Sequence, residues 1–349
     1  MLGISIFFIE ARVDKNYELC RLVAVLSEPI FLVGAERSGT TLLRLMLDSH
    51  PDVAFGEEFE FAVELMGEDG TYPAMDDYRQ FLETNRIFST SGFSYDGTKS
   101  YPELVDGFLR SRQEKKNAKF VGATIHFGFA KALKIWPDAK LMHIVRDPRD
   151  VSPSNVAMGW AGNVWFGLDK WLETEDEWSD VEANLAPGQA TTIQFSDLVN
   201  DHEGTLTKLC RFIGVDYTDQ MLAYAAETDY DKPKPGLAGS WRNRLADQDI
   251  RMIETRAGDR LTNLGFKPSG LPPMTISPRR ATWLLWHNRM GKIRAQARVA
   301  SWFLVVADLV ARASKRESWQ RAVRLKLNEA EKAHLKKSWS DNSDTRTSH

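Results

Sequence analysis

The sequence predicts a three-layer α/β/α fold around a parallel sheet, with a helical C-terminal extension, and three observations carry that expectation. Short apolar, partly β-branched runs recur at Ile30–Val33, Lys140–Val145 and Thr191–Phe195, each followed by a loop or a helical signal, as buried parallel strands require. The first run feeds a glycine-bracketed turn that opens into a helical stripe of Leu42, Leu43, Leu45, Met46 and Leu47, stopped by Pro51. From Thr282 onward the chain is rich in Arg, Lys, Ala and Leu and contains no proline, the composition of a helical appendage.

Along the chain, residues 1–28 read as an N-terminal segment, 29–268 as the main domain and 269–349 as the extension. Leu2–Ile9 is apolar but short, lacks a basic lead and runs into Glu10 and Arg12, so a secretory signal is not expected. No run reaches the roughly 20 apolar residues that span a bilayer. After the first helix, Gly56-Glu57-Glu58 forms a polar step between Phe55 and Phe59, where burial and a like-charged neighbour would push one carboxyl pKa upward. The other reading of these acids is a helix N-terminus beginning near Glu58. Residues 68–117 are aromatic, Gly-rich and irregular and read as a wall or lid over a ligand. Lys119–His126 forms a further strand, and Leu206, Leu209 and Phe212 mark a helix that Gly214 ends.

Two loops carry the chemistry. Gly34-Ala-Glu-Arg-Ser-Gly39 has the glycine spacing of a phosphate loop, whose free N–H groups and helix N-terminus favour an oxyanion; the same spacing also serves plain backbone geometry. A triphosphate loop places Lys after its second glycine, but here Thr40 and Thr41 follow, and the cation comes earlier, at Arg37. Such a set suits a phosphosulfate, which carries less charge and needs no bridging metal. The second loop, Arg146-Asp-Pro-Arg-Asp-Val-Ser-Pro-Ser154, leaves the strand of Lys140–Val145 with Arg146 and Ser154 eight positions apart. If the two strands are neighbours, both loops face one crevice beyond the strand ends. Pro148 suits a loop, and Pro153 the first turn of a new helix; a solvated turn with internal ion pairs is the alternative.

The run R-S-G-T-T followed by L-x-R-x-M-L-D-x-H-P, together with the second loop, resembles the sulfotransferases that use 3′-phosphoadenosine 5′-phosphosulfate (PAPS), especially the carbohydrate and tyrosylprotein branches and their bacterial relatives. The resemblance spans Pro29 to Pro268 and implies the P-loop nucleotide-kinase-like sulfotransferase fold. It implies that Arg37, Ser38, Gly39, Thr40 and Thr41 hold the 5′-phosphosulfate and that Arg146 and Ser154 hold the 3′-phosphate. Lys234-Pro-Gly-Leu-Ala-Gly-Ser-Trp-Arg-Asn243 is similar to a segment that closes over the 3′-phosphate, with Lys234 as its contact, although Pro235 replaces a second basic residue. A surface loop anchored by Trp241 is the competing reading there.

By position, the resemblance makes Glu58 the base for the acceptor proton. Many relatives carry a catalytic Lys where this chain has Ala123. Losing that ammonium removes a charge-assisted hydrogen bond at the leaving oxygen. His126 is the nearest replacement, against a plain structural histidine, and Arg37, Lys119 and Lys131 are further sources of positive charge. The implied activity is transfer of a sulfuryl group from PAPS, without metal, to a hydroxyl or amine of a small molecule, carbohydrate or lipid headgroup. Two other readings stand beside it: a P-loop kinase or NTPase, and a PAPS- or PAP-binding homologue with weak or no catalysis.

Composition is consistent with these readings. The 349 residues are 43% hydrophobic with a net charge of −3, enough for a large core and no reason to expect nucleic acid. Cys20 and Cys210 are the two cysteines, too few and too far apart for a disulfide framework or zinc site, and compatible with a reducing cytoplasm. In the extension, Trp283, Trp286, Trp302 and Phe303 sit among Arg289, Lys292, Arg294 and Arg298, a mixture suited to docking on the domain, to a homodimer or to peripheral membrane contact. Ser338–His349 is polar and expected to be disordered.

Overall fold

The computed structural model describes residues 26, 28–228, 230, 232–233, 235–314, 316 and 318–330. Five strands, β1 Ile30–Val33, β2 Val53–Glu58, β3 Phe120–Ile125, β4 Lys140–Val145 and β5 Ala190–Gln194, form one sheet in the order β2-β3-β1-β4-β5. All four pairings are parallel. Around them run α1 Thr40–Asp48, α2 Met75–Thr84, α3 Arg86–Ser91, α4 Tyr101–Lys116, α5 Phe129–Ile135, α6 Pro148–Ala157, α7 Asp169–Glu182, α8 Phe195–Asn200 and α9 His202–Ile213. The chain then forms α10 Tyr224–Glu227, α11 Trp241–Arg244, α12 Asp247–Ala257, α13 Arg260–Asn263, α14 Pro278–Val299 and α15 Trp302–Ser314.

Side-chain alternation along the central strands builds the layers. Ile30 and Leu32 face a core made with Leu43, Met46 and Leu47 of α1 and Leu206 and Leu209 of α9. Phe31 and Val33 face the opposite core, with Leu104 and Phe108 of α4, Phe129 of α5 and Trp178 of α7. Buried on both faces, β1 has no room for polar residues, which is why its four positions read as a continuous apolar run. Gly122 on β3 is obligatory, because a Cβ there would meet the Ile30 carbonyl oxygen and the Phe55 ring, each at 2.4 Å.

Several local expectations are corrected. Pro148, not Pro153, occupies the first turn of α6, and Pro153 lies inside the helix. Phe195 opens α8 instead of ending β5. Residues 68–117 are largely helical, forming α2, α3 and α4, the last begun by a capping box between Ser100 and Glu103. Their aromatic residues explain the irregular look of the sequence: Phe88, Phe93 and Phe108 pack on Phe61 instead of forming an aliphatic stripe. Leu2–Ile9, Cys20 and Ser338–His349 lie outside the described residues.

The extension leans on the turn after α6. Gly291 of α14 approaches Gly162 so closely that an added Cβ would sit 2.4 Å from the Gly162 Cα. Asn288 Oδ1 accepts the Gly162 N–H at 2.7 Å, and Asn163 Nδ2 donates to the Leu284 carbonyl at 2.9 Å.

Candidate active site

β1 delivers the first loop at its C-terminal end. Gly34 packs against β4, where a Cβ would meet the Ile144 carbonyl oxygen at 2.4 Å. Gly39 has a left-handed φ of 98°, and a side chain there would run into the Phe195 ring. Arg37 is also left-handed, at φ 70°, a conformation that a non-glycine residue holds only where its surroundings enforce it. α1 then starts at Thr40 with no side-chain cap and no acid in its first turn, leaving its N–H groups and the positive end of its dipole facing the loop. Ser38 is fully buried, and its Oγ has no hydrogen-bond partner. An orphaned hydroxyl beside free N–H donors fits an oxyanion.

β4, the neighbour of β1, brings the second loop to the same edge. Arg37 Nε donates to Ser154 Oγ at 2.9 Å across 117 residues of chain. Arg146 Nη1 donates to the Arg37 carbonyl at 3.1 Å and Nη2 to the Leu237 carbonyl at 2.9 Å, while its Nε is buried without a partner. The guanidinium lies 4.3 Å from the centre of the Phe195 ring. Burial pulls the Arg146 pKa down and nearby Asp150 pushes it back up; an Arg keeps its charge throughout.

The acids and Arg149 of the second loop form a latch, which sequence reasoning missed. Asp150 accepts from the Gly239 N–H at 2.7 Å, the Ser240 hydroxyl at 3.0 Å and the Trp241 N–H at 2.9 Å. Buried Arg149 pairs with Asp147 and Glu254 and lies 3.9 Å from the Trp241 ring centre, and the Trp241 indole N–H donates to Asp147 at 3.0 Å. The solvated turn is therefore excluded, and the segment carrying the third motif is tied beside Arg146. Lys234 lies outside the described residues.

Glu57 and Glu58 end β2 and begin no helix, which corrects the helix-N-terminus alternative. The β2–β3 register slips between Phe55, opposite Gly122, and Glu58, opposite Thr124, so a bulge re-aims the end of the strand. Both acids line a cavity of about 90 Å³ with Phe59, Ile87, Phe93 and Ala123. Residues of the 68–117 segment thus wall the space in front of Glu58. Thr124 Oγ1 is buried without a partner.

His126, 7% exposed, follows β3 and ties this corner to the first loop. Its Nδ1 lies 2.7 Å from the Gly34 carbonyl oxygen, an acceptor, so Nδ1 carries a proton and donates it there. The His126 backbone N–H donates to Glu60 Oε1 at 2.9 Å. Glu60 is buried, with Oε2 lacking a partner, and burial raises its pKa to about 7 against the opposing pull of His126. Glu60 is an acid that sequence reasoning missed, flagged there by its place between Phe59 and Phe61.

The structure therefore brings Arg37, Ser38, Gly39, Thr40, Thr41, Arg146 and Ser154 to one edge, joins His126 to them through Gly34, and sets Glu58 in the adjoining cavity. Lys119 is not there: it precedes β3 at the other end of the sheet and pairs with Asp52 at 2.8 Å. Lys131 pairs with Glu68 at 2.7 Å. Among the described residues, no cluster of three or more His, Cys, Asp or Glu side chains is arranged to hold a metal ion.

Residues 29–219 match the profile described as "Sulfotransferase family". The chain is 23% identical over 281 residues to protein-tyrosine sulfotransferase 2 of Gallus gallus, covering 70% of this chain and 71% of that one. It is 23% identical over 283 residues to protein-tyrosine sulfotransferase 1 of Danio rerio, covering 70% and 74%. Among solved structures, the sulfotransferase domain of the Synechococcus PCC 7002 olefin synthase aligns with a TM-score of 0.48 at 19% identity, covering 67% of this chain and 97% of that one.

Proposed function

The chain belongs to the sulfotransferase family, and from that premise we propose that it moves a sulfuryl group from PAPS to a hydroxyl or amine acceptor and releases adenosine 3′,5′-bisphosphate. The observation that carries the residue assignment is the meeting of the two loops at Arg37 Nε and Ser154 Oγ, beside the orphaned Ser38 hydroxyl. Bound PAPS supplies the activated sulfuryl group. The backbone N–H groups of Gly39, Thr40 and Thr41, the Ser38, Thr40 and Thr41 hydroxyls and Arg37 hold the 5′-phosphosulfate. Arg146 and Ser154 hold the 3′-phosphate, for which the partnerless Nε of Arg146 is a ready donor. Lys234 keeps the same assignment on its sequence match alone.

Glu58, which lines the aromatic-walled cavity together with Glu57 and holds the position that the resemblance gives the base, takes the acceptor proton. His126 acts by positioning, because its Nδ1–H holds the Gly34 carbonyl and so the shape of the loop. With Ala123 in the wall, Arg37 is the cation that stabilises charge at the reacting centre. The acceptor is a small molecule, carbohydrate or lipid headgroup, and the relatives named for protein tyrosine add a phenolic hydroxyl to that set. A kinase reading is disfavoured by Thr40 at the lysine position and by the family itself.

Calorimetric titration with adenosine 3′,5′-bisphosphate, AMP and ATP, each with and without magnesium, tests this reading. Metal-independent preference for the 3′-phosphorylated nucleotide supports it; ATP preference that requires magnesium overturns it. Nucleotide binding with no transfer from PAPS to any acceptor in a panel would favour the homologue that binds without catalysing.

A further inference from the structure

α15 turns its most apolar side outward. Trp302, Phe303, Val306, Leu309 and Val310 recur at helical spacing on one face and are 57, 81, 53, 52 and 48% exposed. Its buried positions, Val305, Asp308 and Ala311, lie on the other side, where Asp308 pairs with Arg312. On α14, Trp283 and Trp286 are each more than half exposed. Scattered surface apolar residues are ordinary, but a concentration on two successive helices marks an interaction surface.

Charge decides which partner this surface fits. Residues 278–314 contain six Arg, one Lys and a single acid, Asp308, in a chain whose net charge is −3. Arg289, Lys292, Arg294 and Arg298 are all exposed on α14. A second copy of this surface would bring like charges together, whereas an anionic bilayer accepts the basic side chains at its headgroups and the Trp and Phe rings at its interface. Crossing is excluded for these helices: α15 has 13 residues, and no described helix is long and apolar enough to span a membrane.

We propose that the α14–α15 extension is a docking surface for anionic lipid bilayers, on which the chain lies without crossing. The proposal is independent of the sulfotransferase assignment, since none of these residues belongs to the active site. Its test is co-sedimentation of the full chain with vesicles of phosphatidylcholine alone and of phosphatidylcholine with phosphatidylserine. Binding is expected on the anionic vesicles, weakened at least about tenfold by Phe303→Glu with Val306→Glu, and weakened by about 0.5 M salt as headgroup attraction is screened. The double variant should keep the wild-type far-ultraviolet circular dichroism spectrum and nucleotide affinity. Arg289→Gln with Arg294→Gln should weaken binding to anionic vesicles while leaving any residual binding to neutral ones unchanged. Absent binding, or equal binding to both vesicles, overturns the proposal. So does a concentration-dependent dimer that the Phe303 and Val306 variant dissociates, which would make a second copy the occupant.

Discussion

Glu58 and Glu60 stand two residues apart in different surroundings. The bulge in β2 turns Glu58 into the aromatic-walled cavity, whereas Glu60 is buried on the His126 N–H. As the proposed base, Glu58 replaced by Gln should lose about 10²- to 10⁴-fold in kcat while nucleotide affinity is retained, and unchanged turnover would refute its role. Glu60 makes a prediction about stability. Its pKa rises from 4.5 unfolded to about 7 folded, so the folded chain keeps this proton longer, and stability falls as pH climbs between those values. Glu60→Gln keeps an oxygen for the His126 N–H but has no proton to lose. The variant should gain on the wild type between pH 5 and pH 8 by up to about 3 kcal/mol, read from urea unfolding. A gap that does not change with pH would remove the assignment.

At the scale of elements, the first loop was legible in sequence because its constraints are local. Two glycines, a following amphipathic helix and a preceding apolar strand fall within about one strand–turn–helix unit. Gly39→Ala forces a side chain into a left-handed φ of 98° and against the Phe195 ring. It should cost at least about 1–3 kcal/mol and sharply weaken nucleotide binding, measured by thermal unfolding and calorimetry. The second loop was only half legible: Arg146 and Ser154 were recognised, but Asp147, Arg149 and Asp150 could as well have been a solvated turn. Their partners Trp241 and Glu254 come from 91 to 105 residues away, a distance that no motif encodes. Asp150→Ala removes three hydrogen bonds to residues 239–241 and strands buried N–H groups. It should cost about 2 kcal/mol or more and speed proteolysis between residues 228 and 241; an unchanged digestion pattern would count against the latch.

On the scale of the molecule, the sheet order places β1 beside β4, and that single adjacency brings two motifs 109 residues apart into contact at one edge of the sheet. The extension joins this frame through a backbone contact between Gly162 and Gly291, close behind the helix that carries Ser154. Gly291→Leu cannot fit that contact. It should release α14, lowering stability by about 1–3 kcal/mol and exposing its Arg-rich stretch to trypsin, with nucleotide binding retained. Protection from trypsin equal to the wild type would show that the extension is held elsewhere. The helices of residues 68–117 escaped the sequence reading for a whole-molecule reason too, since their aromatic residues are organised around Phe61 and not around a repeating stripe of their own.

The sequence by itself determined the layered α/β class, the glycine-bracketed turn between the first strand and helix, the eight-residue spacing of Arg146 and Ser154 and the basic, aromatic character of the extension. Each depends on residues close enough in the chain for spacing and periodicity to act as physical constraints. Tertiary structure alone decided which strands are neighbours, that Arg37 meets Ser154, that Arg149 is buried beneath Trp241 and that Glu60 is buried with a raised pKa. Those outcomes depend on desolvation and hydrogen bonding among groups distant in sequence. Such terms acquire a value only when folding sets the groups side by side.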